Sequence, residues 1–315
     1  MSSTVLLHLV TYAAAIAFLT VIVIRFIRMN SMPMHLRWEL YPVAHEPGAK
    51  AKYGGSHLEE IDWWTKPKES STVNELLYMI PEMLFLVALF EHNRKLWWRS
   101  FPFHFGLYFL LGTIGLIAFG AILELVGIPV TNGENASMIG MGIFYLPQIS
   151  GVIGMILTAF GSIGLLHMRL TDPDLSDYTP VSAIFNLILF LAVLFIAWIT
   201  FIFIDPTYQL TRAYIQSLFT FNFAAPLEST LLGIEILLSV LLIAYIPMTH
   251  MAHFFLKWFT YHQIRWDDEA YSPGSKLEKK IFKQVQYPVT WSAPHLKADG
   301  KKNWLDIATE EIDEK

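Results

Sequence analysis

Five long apolar runs dominate the chain, at about residues 4 to 27, 102 to 126, 141 to 168, 181 to 204 and 227 to 258. Crossing about 30 Å of hydrocarbon takes roughly 20 residues of helix, so each run is long enough to span a bilayer. A sixth run, from Val73 to Phe90, carries Glu75, Pro81 and Glu82 and ends at Glu91. Carboxylates are costly inside hydrocarbon, which puts this segment at the membrane surface instead. The pattern predicts an all-α fold: an integral membrane bundle of five transmembrane helices with one interfacial helix.

Charge then orients the bundle, because loops rich in Lys and Arg stay on the cytoplasmic side. With the N-terminus outside, 21 of the 22 Lys and Arg residues fall on the cytoplasmic face, and only Arg212 lies outside. Counting 73 to 90 as a sixth span would set Arg94, Lys95 and Arg99 on the opposite side from Arg25 and Arg28. The expected organisation is therefore a membrane domain over 1–258, with a cytoplasmic loop at 28–101, and a cytoplasmic tail over 259–315. The C-terminus is inside. Trp63, Trp64, Trp97, Trp98, Trp258 and Trp266 lie near the inner boundary, where amphipathic rings settle. Asn135, Ala136 and Ser137 match a glycosylation acceptor pattern too short to weigh.

Composition narrows the chemistry. Of 315 residues, 54% are hydrophobic, and the mean hydropathy of +0.43 agrees with a membrane class. A formal net charge of -5 and the absence of a basic stripe argue against nucleic acid as a partner. The chain has no Cys, which excludes Cys-ligated iron–sulfur clusters, covalently attached haem and disulfides. Any redox centre here is ligated by His. No Lys or Arg precedes the first apolar run, which reads as a retained span and not a cleaved signal. In the third span Gly151, Gly154, Thr158, Gly161 and Gly164 recur on one helical face, a stripe suited to close helix packing or to a flat macrocycle.

Haem b is held without covalent attachment, by imidazoles aimed inward from packed helices. His104, in FPFHFG, lies about one turn inside the cytoplasmic start of the second span. His253, in IPMTHMAHFF, lies near the cytoplasmic end of the fifth. The two share a depth on different helices and form the expected ligand pair. His250, three residues before His253, suits a propionate or quinone contact. His167 ends the third span beside Arg169 and marks the interface, His92 is expected in solvent or against a partner, and His8, near the outer face, is expected at the surface. Intramembrane carboxylates are functional candidates by default, and Glu124 and Glu235 lie toward the outer half. Glu235 precedes His253 by eighteen residues, five whole turns of an unbroken helix, so the two would face one side about 27 Å apart.

The motifs FPFHFG and IPMTHMAH, with the outer stretch AYIQSLFTFNFAA between the fourth and fifth spans, resemble the cytochrome b (gamma) subunit of respiratory nitrate reductase. HLRWELYPVAHE, from His35 to Glu46, and VTWSAPHLKADGKKNW, from Val289 to Trp304, resemble a branch of that family that pairs with a heterodisulfide-reductase-like iron–sulfur subunit in membrane complexes of sulfate reducers. The resemblance implies five spans, an outside N-terminus, location in the cytoplasmic membrane, and electron transfer between menaquinone or another quinone and a cytoplasmic iron–sulfur subunit. It also admits a periplasmic cytochrome c in the complex. The nitrate reductase subunit holds two haems, but Ile114 and Glu235 stand where its outer-haem ligands would be. One haem b is therefore expected. A haem-free membrane anchor or small-solute transporter, with histidines that pack or relay protons, is the competing class; the absence of an internal repeat speaks against a transporter.

Overall fold

A computed structural model describes residues 3–31, 59–67, 69, 71–134, 136–260, 273–293 and 296–310. The motif from His35 to Glu46, Asn135, Trp266 and, within the tail motif, Pro294 and His295 lie outside these residues. The longer helices are α1 (Ser3–Ser31), α2 (Thr72–Phe85), α3 (Val87–His92), α4 (Arg94–Leu125), α5 (Met138–Thr171), α6 (Val181–Phe203), α7 (Gln209–Phe219), α8 (Thr230–Tyr245), α9 (His253–Thr260) and α10 (Lys276–Val285). Five are long and apolar enough to cross a membrane: α1, α4, α5, α6 and the segment Thr230–Met248 that begins with α8. The chain is a multi-pass membrane protein.

The helices extend beyond the apolar runs. α4 begins at Arg94, eight residues ahead of the expected start, because Asn93 caps it by accepting from the Leu96 amide at 3.0 Å. The expected interfacial helix is two pieces. Leu86, at φ 52, ends α2 and starts α3. This break orphans carbonyls that a continuous helix would use, and α4 supplies the donors: the Tyr108 hydroxyl reaches the Met83 carbonyl at 2.7 Å and the Trp97 indole reaches that of Phe85 at 2.8 Å. The Glu82 carboxylate takes the Ala88 amide at 2.8 Å.

Two compact units make up the chain: Met1–Val21 with Ile80–His250, and Ile22–Met79 with Met251–Lys315. In the first, α4 packs along α5, α5 against α6, and α6 against α8, while α7 lies on α4. The glycine stripe of α5 is the α4–α5 seam, so helix packing and not a macrocycle fills it. A Cβ on Gly161 would fall 2.6 Å from the Phe103 Cα, one on Gly154 3.0 Å from the Leu110 amide nitrogen, and Gly106 of α4 meets the Thr158 backbone in return. In the second unit Phe26 of α1 meets Phe259 of α9 edge-on at 5.1 Å. The tail motif folds back on itself: the Val289 amide donates to the Lys302 carbonyl at 2.9 Å, and Trp291 and Trp304 come within 6.1 Å.

Candidate functional site

The α4–α5 seam fixes the turn that carries His104. Its Nδ1 donates to the Ser100 carbonyl at 2.7 Å, which selects the tautomer whose Nε2 holds a lone pair, the state that an iron ligand needs. The Phe103 ring meets the His104 ring and the Phe190 ring edge-on, both at 5.3 Å, and sets an apolar wall at this depth. Nearby on α5, Thr158 and Ser162 are fully buried one turn apart, and on α6 Asn186 is 4% exposed. The hydroxyls of Thr158 and Ser162 and the Asn186 amide nitrogen have no hydrogen-bond partner among the described residues. Buried polar atoms are ordinarily paired; Thr158 is packed against Gly106 in the α4–α5 seam, which leaves the Ser162 hydroxyl as a donor for a propionate and the Asn186 amide as a donor for another acceptor oxygen. The residues fit a haem with propionates: an anchored imidazole, an aromatic wall and unused donors.

The fifth apolar run is interrupted between the other two candidate histidines and the rest of its helix. Pro247 has no amide to give the Ile243 carbonyl, and its ring crowds the preceding turn. The α-helix ends at Tyr245, a 3-10 turn covers Ile246–Met248, Thr249 is extended at φ -109 and ψ -173, and a second 3-10 turn covers His250–Ala252. His253 then opens α9. This corrects the count of five whole turns from Glu235 to His253, which required an unbroken helix. His250 and His253 likewise share no α-helical face. His104 and His250 belong to the first unit and His253 to the second.

The remaining histidines sort themselves. His8 is fully buried, not at the surface as expected. Its Nδ1 lies 2.8 Å from the Thr4 carbonyl and its Nε2 2.7 Å from the Ser217 hydroxyl, so both nitrogens are engaged and neither is left for a metal. Around it the Thr11 and Tyr214 hydroxyls meet at 2.7 Å, and Tyr12 donates to the Leu218 carbonyl at 2.6 Å. Burial pushes the Tyr214 phenol above its ordinary pKa, and the Thr11 hydrogen bond pulls it partly back. His167 is exposed and lines a cavity of about 200 Å³ with Lys95, Arg99 and Asp172. Lys95 donates to Asp172 at 2.6 Å and holds that carboxyl below its usual range. His92 is exposed at the end of α3, as expected.

At the C-terminal end of α4, Glu124 is no lone interface charge. Arg212, 3% exposed, donates to it at 2.8 Å and also reaches the Val130 carbonyl at 3.3 Å, and Gln216 donates to the second carboxylate oxygen. The sequence held one hint of this pair: in the expected topology Arg212 is the single basic residue on its face, and a base kept there needs a carboxylate. Glu235 is partly buried against Thr200. Ile114 is 44% exposed, and neither Ile114 nor Glu235 carries an imidazole. Among the described residues no three His, Asp or Glu side chains gather as a bare metal ion would need. Haem iron, held by its porphyrin, needs only axial ligands.

The model of the nitrate reductase gamma subunit family matches residues 88–267, more than half of the chain. The chain belongs to the nitrate reductase gamma subunit family. The matched region runs from α3 through α9 and contains His104, His250 and His253. No curated protein matches the chain. As a gamma-family member it is a membrane subunit of cytochrome b type, an electron-transfer anchor in quinone-linked respiratory complexes that dock cytoplasmic iron–sulfur subunits.

Proposed function

We propose that this gamma-family subunit carries one haem b, ligated by His104 and His253, and passes electrons between a membrane quinone such as menaquinone and a heterodisulfide-reductase-like iron–sulfur subunit on the cytoplasmic side. The observation that carries the haem reading is the Nδ1 hydrogen bond from His104 to the Ser100 carbonyl at 2.7 Å, with unpartnered donors close by in the bundle. Haem b, when bound, supplies a one-electron carrier within the bilayer. The chain's own residues do the positioning. The Ser100 carbonyl fixes the His104 tautomer and raises the basicity of its other nitrogen. The Phe103 and Phe190 rings keep water from the site, and the Ser162 hydroxyl is a donor suited to a propionate oxygen.

His250, exposed after the Pro247 break, is assigned to the quinone or a propionate rather than to iron. The single-haem stoichiometry is supported by His8, which among the described residues is the one imidazole expected in the outer half and whose nitrogens are both engaged. The partner surface is assigned to the 28–101 loop and the 259–315 tail. Exposed Trp291 and Trp304, brought together by the tail's fold, are the kind of aromatic anchors that interfaces use. The N-terminus is outside and the C-terminus cytoplasmic.

The test is a reduced-minus-oxidised spectrum with haem stoichiometry on the purified chain. His104→Ala and His253→Ala should each abolish the b-type spectrum, and His8→Ala should leave it. Two haems per chain, or a b-type signal surviving loss of both inner ligands, refutes the assignment. A chain purified without haem favours the haem-free anchor.

A further inference from the structure

A buried amide with one unpaired arm lies between α6 and α8. Asn186 sits five residues into α6 from Val181, about 8 Å along the axis, and is 4% exposed. The Tyr245 hydroxyl, on the last residue of α8, donates to its Oδ1 at 2.9 Å, while its Nδ2 has no partner among the described residues. Turning the amide over changes which arm meets the tyrosine but still leaves one arm unpaired. The neighbouring residue, Phe185, is 51% exposed, and its ring stands 6.1 Å from that of Tyr245 at 82°. Phe185 lies within the α6 span, so its exposed ring is available to lipid. The sequence of surroundings therefore runs from a lipid-facing ring, through a phenol, to a buried and unused amide.

This order matches what a quinone head group requires. Its tail stays in lipid, its flat ring needs an aromatic flank, and its carbonyl oxygen needs a buried donor. We propose that Asn186 donates its Nδ2 hydrogen to one quinone carbonyl, that Tyr245 is the positioning residue that holds the amide, and that Phe185 flanks the ring at the lipid entrance. The inference rests on the quinone-linked reading above and gives it a site. It concerns binding alone and needs no change in the redox state of any side chain. The α8 ladder ends just beyond Tyr245, where Pro247 breaks the helix.

The experiment uses the haem-loaded full chain in lipid nanodiscs, with 2-methyl-1,4-naphthoquinone as the probe in equilibrium dialysis and haem content and midpoint potential measured on the same samples. Losing one neutral hydrogen bond corresponds to a fold-change of about ten, so Asn186→Leu should weaken binding about tenfold with haem content unchanged. Tyr245→Phe should weaken it about threefold by leaving the amide unheld. Should Asn186→Leu fail to assemble, the isosteric Asn186→Asp serves: it sets an acceptor against the carbonyl and should lose binding. Unchanged affinity in an assembled Asn186 variant overturns the proposal. A shifted haem potential with unchanged affinity also overturns it and gives the amide to a haem propionate. A chain without haem whose naphthoquinone binding still depends on Asn186 sinks the haem reading and leaves this site standing.

Discussion

Replacing Gly161 with Ala tests the seam on which the geometry of His104 depends. The new Cβ would lie 2.6 Å from the Phe103 Cα, against 3.4–4 Å for ordinary contact. The obstructing atoms are backbone and cannot swing aside, so α4 and α5 must part by about 1 Å. Overpacking of this kind costs about 1–3 kcal/mol. It also shifts residue 103, directly before the proposed ligand. Gly112→Ala is the control: nothing lies within 4 Å of its would-be Cβ, and Ala is the better helix former by about 1 kcal/mol. In thermal unfolding of the solubilised protein, followed by circular dichroism and by haem absorbance, Gly161→Ala should lower Tm by about 3–10 °C and release haem early. Gly112→Ala should match or exceed the parent. Equal Tm values for the two variants would refute the close approach of α4 and α5.

Three further outcomes are expected. Reporter fusions at Lys95 and Gly133 should read cytoplasmic and external respectively, and the reverse at Lys95 would overturn the orientation. Glu124→Ala leaves the guanidinium of Arg212 buried without its carboxylate and should destabilise the outer end by about 3–5 kcal/mol, read as a loss of thermal stability with the haem spectrum intact; a Tm within 1 °C of the parent would show that the pair is solvated. Deleting Val289–Lys315 should release the cytoplasmic partner on co-purification while haem remains, and a partner retained at full stoichiometry would remove the tail from the docking surface.

The spans were legible because length and apolarity are local quantities. Their ends were not: Arg94 to Arg99 continue α4 on the strength of a cap and a helical backbone, which hydropathy does not register. The stripe from Gly151 to Gly164 announced close packing, but only the fold shows that α4 fills it. Pro247 stood in plain view inside an apolar run, and reading that run as one unbroken helix produced a facing argument between Glu235 and His253 that the backbone does not support. His8 was misplaced because its partner, Ser217, is 209 positions away. The break at Leu86 had no local signal, since neither Gly nor Pro marks it. The imidazoles were legible as candidates, because a His inside an apolar run stands out by residue type alone. The amide of Asn186 was missed because a lone Asn in an apolar run shows its importance only when its neighbours are seen to leave it unpaired.

The fastening of α2 and α3 to α4 has a consequence for handling the protein. Two carbonyls released at Leu86 are held by single donors from Tyr108 and Trp97, and both bonds lie at the exposed surface of the bundle. Such bonds are strong where nothing competes for them and weak where water does. The latch is thus set by its surroundings: tight where apolar groups cover it, loosened when a small detergent micelle lets water in. Extraction conditions, more than temperature, will decide whether this helical pair stays beside α4.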